Sequence, residues 1–267
     1  MTNIFHPAPE RGHVDFGWLD SHHSFSFGNW YNGEKVHFGA LRVLNDDVVK
    51  GGNGFDSHPH ENMEIISIPL KGALAHKDST GIEGILGTGD VQIMSAGSGI
   101  RHSEYNASPN GPEGRSPKAR HKEGQATGAY SVHIRSLDKY DPVNFLQIWI
   151  FPKHLNIKPR HDQKSFDAAG RIGRWQFVVS PRSEDGGLYI NQDARLALTR
   201  LEAGTTLRYD NAFAGNGVYV FVLAGNIMVG DADLSSRDGL GVSGTDSFMV
   251  RALADSELLA IEVPMFA

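Results

Sequence analysis

Glycine placement constrains this chain more than any other feature. The 31 glycines among 267 residues are spread along the chain and punctuate short apolar runs. No stretch keeps a helical period for more than three turns. Short β-rich or alternating runs cover 24–27, 40–44, 63–69, 91–94, 145–151, 175–180, 188–191, 217–223, 247–251 and 258–263. Turn signals stand between them, among them Asn32-Gly33, Gly51-Gly52-Asn53-Gly54, Asp185-Gly186-Gly187 and Asp238-Gly239. This pattern predicts an all-β protein of the sandwich or barrel kind.

Two segments break the rhythm. Residues 109–139 are polar and rich in glycine and proline and read as a long surface loop. Residues 158–173 read as a connection or short helix between two halves. The halves share a faint pattern. Leu70-Lys71-Gly72 is followed by Gly89-Asp90, and Leu223-Ala224-Gly225 by Asp238-Gly239, which suggests an internal duplication. Histidine is unequally shared, because all 13 lie at or before His161. Imidazole chemistry therefore belongs to the first half.

Composition removes several function classes. The chain has no cysteine, which excludes disulfides, thiolate-bound zinc, iron–sulfur clusters and thiol catalysis. A net charge of -6 gives no electrostatic reason to bind a nucleic-acid backbone directly. The first residues lack the charged-then-apolar layout of a signal peptide. No run approaches the ~18 apolar residues of a membrane helix. The expectation is a cytoplasmic protein with no membrane partner.

The chemistry concentrates in two short segments. His58-Pro59-His60 leads to Glu64, and His102-Ser103-Glu104 follows a glycine-framed stretch. Side chains alternate along a strand, so His58 and His60 share a face, as do His102 and Glu104. Glu64 joins the first pair if its strand continues unbroken. Two such strands facing one interior bring three imidazoles and a carboxylate together. That donor set suits one divalent ion of Fe, Mn, Ni, Co, Cu or Zn and leaves coordination positions open. Glu64 then reads as a ligand, as an acceptor for an imidazole N–H, or as an exposed strand residue. Other histidines carry less. His22 and His23 point to opposite faces and read as packing or capping residues. His76 reads as surface or as a partner of Asp78, and His121 and His133 lie in the long loop. Phe55, Met63, Ile65 and Met94 are candidates for an apolar wall.

These segments resemble the two cupin motifs in the variant found in the pirin family. Residues 16–27, Leu41-Arg-Val-Leu-Asn-Asp46, His58 through Glu64, Gly89 through Glu104, and Phe145-Leu-Gln-Ile-Trp149 carry the resemblance. It implies a bicupin: two antiparallel β-sandwich, jelly-roll barrels packed together, here 1–157 with the metal and 158–267 without it. In the first copy the histidines precede Gly72 by fixed offsets. The same offsets before Gly225 fall on Asn211 and Phe213, which cannot form an imidazole site.

Carried over residue by residue, the resemblance implies His58, His60, His102 and Glu104 as ligands, with Glu64 one layer behind them. It implies Fe(II) as the first choice of ion. It also implies an activity reported for some bacterial members, opening of a flavonol ring by dioxygen with loss of carbon monoxide. Glu104 would accept the proton of the flavonol hydroxyl. Animal and plant members suggest the alternative, a non-enzymatic regulator that works through a protein partner.

Overall fold

The computed structural model describes residues 1–107 and 141–266. The expected 109–139 loop, with His121 and His133, lies outside the described residues. The fold is all-β, as the glycine pattern predicts, with three short 3-10 turns among the described residues.

Four antiparallel sheets make two sandwiches. In the first, a seven-stranded sheet faces a four-stranded one. The larger sheet runs Arg160–Ser165, Asp90–Ser95, Glu64–Lys71, Val143–Ile150, Leu41–Val49, Leu19–His23, Gly12–Asp15. The smaller runs Gly54–His60, Ile100–Asn106, Ala73–Asp78, Glu83–Gly87. The second sandwich pairs a six-stranded sheet, whose central strands include Asn216–Ala224 and Ser256–Pro264, with a four-stranded one containing Thr206–Asp210 and Ser247–Ala252. This is the bicupin architecture.

The two large sheets pack against each other. One core joins Leu44, Ile66, Ile68, Leu146 and Ile148 of the first to Leu196, Leu198, Tyr219, Phe221, Leu259 and Ile261 of the second. Strands of these sheets are therefore buried on both faces. That explains near-continuous apolar runs such as Phe145-Leu-Gln-Ile-Trp-Ile150 in place of strict alternation.

The interiors of the two sandwiches differ. The second is filled by one continuous apolar cluster from Ala197 through Val220, Ile227, Leu234 and Phe248 to Leu258. The first holds two small clusters, one around Leu74 and Phe145 and the other around Ile65 and Met94. Buried polar side chains also line it, namely Ser67, His76, Gln92, His102, Glu104 and Gln147. A β-sandwich gains stability by burying apolar area. The second interior buries one Arg195–Glu262 ion pair beside its apolar cluster, whereas the first gathers imidazoles, amides and a carboxylate, which marks where function has displaced packing.

The duplication is visible in the turns. Gly72 links Glu64–Lys71 to Ala73–Asp78, and Gly225 links Asn216–Ala224 to Asn226–Val229. Both glycines hold left-handed backbone, at φ 77° and 96°, which a side chain would strain.

Strand pairing crosses the expected 157/158 boundary in both directions. Thr2–His6 pairs with Gly239–Ser243 of the second half, and Arg160–Ser165 pairs with Asp90–Ser95 of the first. The 158–173 segment is thus not a connector or helix. It is mainly an edge strand, followed by the 3-10 turn Ala168–Arg171. Its alternation is weak because no residue of this edge strand is buried. Residues 24–27 and 188–191 also fall outside the named strands and make only isolated bridges.

Candidate metal centre

His58-Pro59-His60 ends the strand Gly54–His60, an edge of the small sheet. An edge tolerates Pro59, which has no N–H for the ladder. The neighbouring strand Ile100–Asn106 is antiparallel, with His102 opposite His58 and Ile100 opposite His60. Directly opposed residues share a face, so His58, His60, His102 and Glu104 all look inward. The edge strand carries one extra residue between His58 and Phe55, a bulge that brings Phe55 opposite Glu104. Such irregularities commonly re-aim side chains near functional sites.

The three imidazoles converge. Ring centroids are 4.7 Å apart for His58–His60, 4.5 Å for His58–His102 and 4.9 Å for His60–His102. One ring nitrogen from each lies within 4.8 Å of the others. Glu104 groups at the same spacing with His102 and with His76, which stands opposite it on Ala73–Asp78.

Hydrogen bonding shows what the imidazoles lack. His60 Nε2 and both nitrogens of His102 are buried with no partner. His58 Nδ1 lies 2.7 Å from the Asp56 carbonyl oxygen, which leaves Nε2 as its free nitrogen. Orphaned buried nitrogens cost free energy unless something satisfies them, and a divalent ion would. Burial, and then the neighbouring imidazoles, push His60 down to about 4 and His102 to about 3. Both are therefore neutral near pH 7, the form that donates a lone pair to a metal. The donor set fits a first-row ion.

Glu104 is held from the opposite sheet. Ser67 Oγ donates to Oε1 at 2.9 Å and Gln147 Nε2 donates to Oε2 at 2.7 Å. Ser67 and Gln147 are themselves opposed across two strands. Gln147 interrupts the apolar Phe-Leu-Gln-Ile-Trp run, and that polar residue in a doubly buried strand was the sequence signal for its role.

Glu64 does not join the imidazoles. Asn62, at φ 47°, breaks the chain between the strands and resets the alternation. Glu64 opens the next strand on the face of Ile66 and Ile68, which belong to the core between the large sheets. Its carboxylate accepts from Ser95 Oγ at 2.7 Å and from the Asn191 backbone N–H at 3.2 Å. It ties the two halves together, and burial raises its pKa.

Sequence reasoning missed two neighbours. His76 is buried, with Nε2 3.2 Å from Asp78 and Nδ1 3.3 Å from Gln92 Nε2; the Asp78 partnership was expected, the burial was not. His161, opposite Met94 on the added edge strand, stacks on His76 at 4.7 Å. Only tertiary register brings these two together.

Apolar residues flank the imidazoles. Trp149 stands edge-on to His60 at 4.9 Å and to Phe27 at 5.4 Å. Met63, Ile65 and Met94 cluster with it, beside Ala96 and Ile100. Phe55 does not; it packs on Trp18 in the other small cluster.

Among its described residues the second half has no such site. Ala212 and Phe213, beside and at the counterpart positions, donate their backbone N–H groups to Glu262 Oε1 at 2.9 and 3.0 Å. Glu262 is fully buried and also accepts from Arg195 and Tyr209. A buried ion pair thus occupies the second half's interior.

Comparison with known proteins places the chain. The pirin family model matches residues 5–122, and a model described as the quercetinase C-terminal cupin domain matches 177–263. A quercetin 2,3-dioxygenase of Escherichia coli (strain K12) is 37% identical over 257 residues, 96% of each chain. A pirin-like protein of Caulobacter vibrioides is 35% identical over 96% of this chain and 97% of its own. The crystal structure of the bacterial pirin YhhW from Escherichia coli in complex with nickel(II) superposes with a TM-score of 0.82, at 34% identity, over 99% of this chain and 100% of that one. With whole-length similarity at this level and both sandwiches matched, this chain belongs to the pirin family.

Proposed function

We propose that the protein is a metal-dependent dioxygenase of the quercetinase type that opens a flavonol ring with dioxygen. The observation that carries this reading is the set of three converging imidazoles, two of which, His60 and His102, are neutral with unpartnered buried nitrogens, next to a carboxylate held from behind. The name borne by the Escherichia coli relative supports the substrate class.

His58, His60, His102 and Glu104 would hold one divalent ion. Fe(II) is our first choice, with Mn, Ni, Co, Cu or Zn as alternatives. When bound, the ion supplies Lewis acidity toward an oxygen ligand and, if redox-active, an electron partner for dioxygen. The chain's own residues do the rest. Glu104 takes the proton of the flavonol 3-hydroxyl, as a positioned general base. Ser67 and Gln147 fix the carboxylate so that it cannot turn away. Met63, Ile65, Met94 and Trp149 offer an apolar face to the aromatic rings and keep water from the reacting oxygen. We take residues 1–157 as the metal-bearing unit and 158–267 as the unit without ligands, each lending one edge strand to the other. No helix among the described residues is long and apolar enough to cross a membrane, and we place the protein in the cytoplasm.

The test is aerobic turnover of quercetin, followed by loss of visible absorbance and release of carbon monoxide. Protein loaded separately with Fe(II), Mn(II), Ni(II), Co(II) and Cu(II) is compared with His58→Ala. Turnover with at least one ion, abolished in the variant, supports the reading. Full metal occupancy without turnover overturns it in favour of a metal-linked regulator acting through a protein partner.

A further inference from the structure

A second histidine group lies outside this centre, on the first hairpin of the first half. Gly12–Asp15 and Leu19–His23 are antiparallel, with His13 opposite His22 and Asp15 opposite Asp20. The sequence His13-Val-Asp15, four residues, Asp20-Ser-His22 is palindromic about the turn. Opposed strand residues share a face, so two imidazoles and two carboxylates stand on one surface. The intervening Ser21 is buried and points the other way, into the interior.

The spacing is that of metal ligands. His13 Nε2 lies 2.9 Å from Asp20 Oδ1, and His22 Nδ1 lies 3.4 Å from the same oxygen. With metal–ligand bonds of about 2.0–2.1 Å, two adjacent donors on an octahedral or tetrahedral ion stand about 2.8–3.4 Å apart. One donor from each of His13, Asp20 and His22 falls within 4.8 Å of the others. The rings are stacked, 4.4 Å apart and 18° from parallel, so each must turn about its own side chain to aim at a common point. All three side chains are partly exposed, which keeps that rotation cheap. Asp15 Oδ1 accepts from the Gly17 N–H at 2.6 Å, and its second oxygen remains available as a fourth donor.

We propose that His13, Asp20 and His22 form a second, surface site for a divalent first-row ion such as Zn(II), independent of the interior centre and completed by Asp15 or water. The hairpin's backbone ladder fixes the relative positions of the donor residues, and the two carboxylates make the site electrostatically favourable for a dication. No donor is shared with the interior centre, so each can fill alone.

The test uses the full-length, untagged, metal-stripped protein and Zn(II) in competition with a chromophoric chelator. Two ions per chain are expected for the wild type. His13→Ala/His22→Ala should bind one, with a nearly unchanged melting temperature because both side chains are partly exposed. His58→Ala/His60→Ala should also bind one, at the hairpin. Zn(II) should move the ring nitrogen resonances of His13 and His22 in the wild type, and Asp20→Asn should weaken that response at least tenfold. The proposal is overturned if the His13→Ala/His22→Ala protein binds as many ions as the wild type. It is equally overturned if the His13 and His22 ring signals stay fixed at saturating Zn(II).

Discussion

Gln147→Leu isolates the contribution of the carboxylate's supports. The substitution keeps a side chain of similar size in a doubly buried strand and deletes one donor, the 2.7 Å bond from Gln147 Nε2 to Glu104 Oε2. Glu104 is 2% exposed, so water cannot readily replace the lost donor. Hydrogen bonds to charged groups contribute about 1.5–3 kcal/mol, and about 1.4 kcal/mol is a factor of ten. Freed of that bond, the carboxylate must pay the same amount to hold its orientation toward an ion. Metal affinity should therefore fall about 10- to 150-fold, a range that overlaps the usual cost of removing a residue behind a metal ligand. The measurement is Ni(II) competition against a chelator at pH 7.5, with circular dichroism to confirm folding. Ser67→Ala supplies an internal check. Ser67 Oγ has a single proton, yet it lies 2.9 Å from Glu104 Oε1 and 3.2 Å from Gln147 Oε1. Loss of Gln147 frees that proton entirely for Glu104, so the two substitutions should be non-additive in a double-mutant cycle. A folded Gln147→Leu protein whose Ni(II) affinity lies within twofold of wild type would refute the reasoning.

Two further outcomes concern stability. Glu262→Gln removes the nearer of the two carboxylates beside Arg195, itself 6% exposed, and leaves Asp185 at 3.8 Å; the cost should be below the ~3–5 kcal/mol of a buried charge left with no partner. Denaturant unfolding should show that loss while the interior centre still takes up its metal. Asp47 is pushed up to about 7 by burial, against the hydrogen bond from Ser21. Its folded pKa lies above its unfolded one, so its contribution is complete below about pH 4 and is lost as pH rises through 7. Relative to Asp47→Asn, the wild type should lose roughly 1 kcal/mol per pH unit across that window; a pH-independent difference in unfolding free energy between the two proteins would show that Asp47 does not titrate there.

The interior centre was legible wherever one strand carried the information. His58 with His60, and His102 with Glu104, follow from the two-residue period alone, because each pair sits on one uninterrupted strand. Glu64 was misread because one left-handed residue, Asn62, lies between it and His60, and a period cannot be extended through a break. His76 and His161 were illegible for another reason. Their place beside Glu104 and Met94 depends on which strands pair, and no local pattern encodes that. The strand Thr2–His6 was missed because its side chains are mostly exposed, so it shows no buried face.

The partner of that first strand also sets an order on synthesis. Thr2–His6 is synthesised more than two hundred residues before the strand Gly239–Ser243, with which, among the described residues, it forms its ladder. The metal-bearing sheets need nothing beyond Ser165 for their strand pairing. They can close while translation continues, as domains generally do. Meanwhile the leading segment, with Ile4 and Phe5 exposed even in the finished fold, trails as an unpaired strand until the last sheet forms. Such an edge invites pairing with another nascent chain. Slowing translation past residue 165 should therefore raise aggregation of the full chain more than that of a protein starting at residue 7.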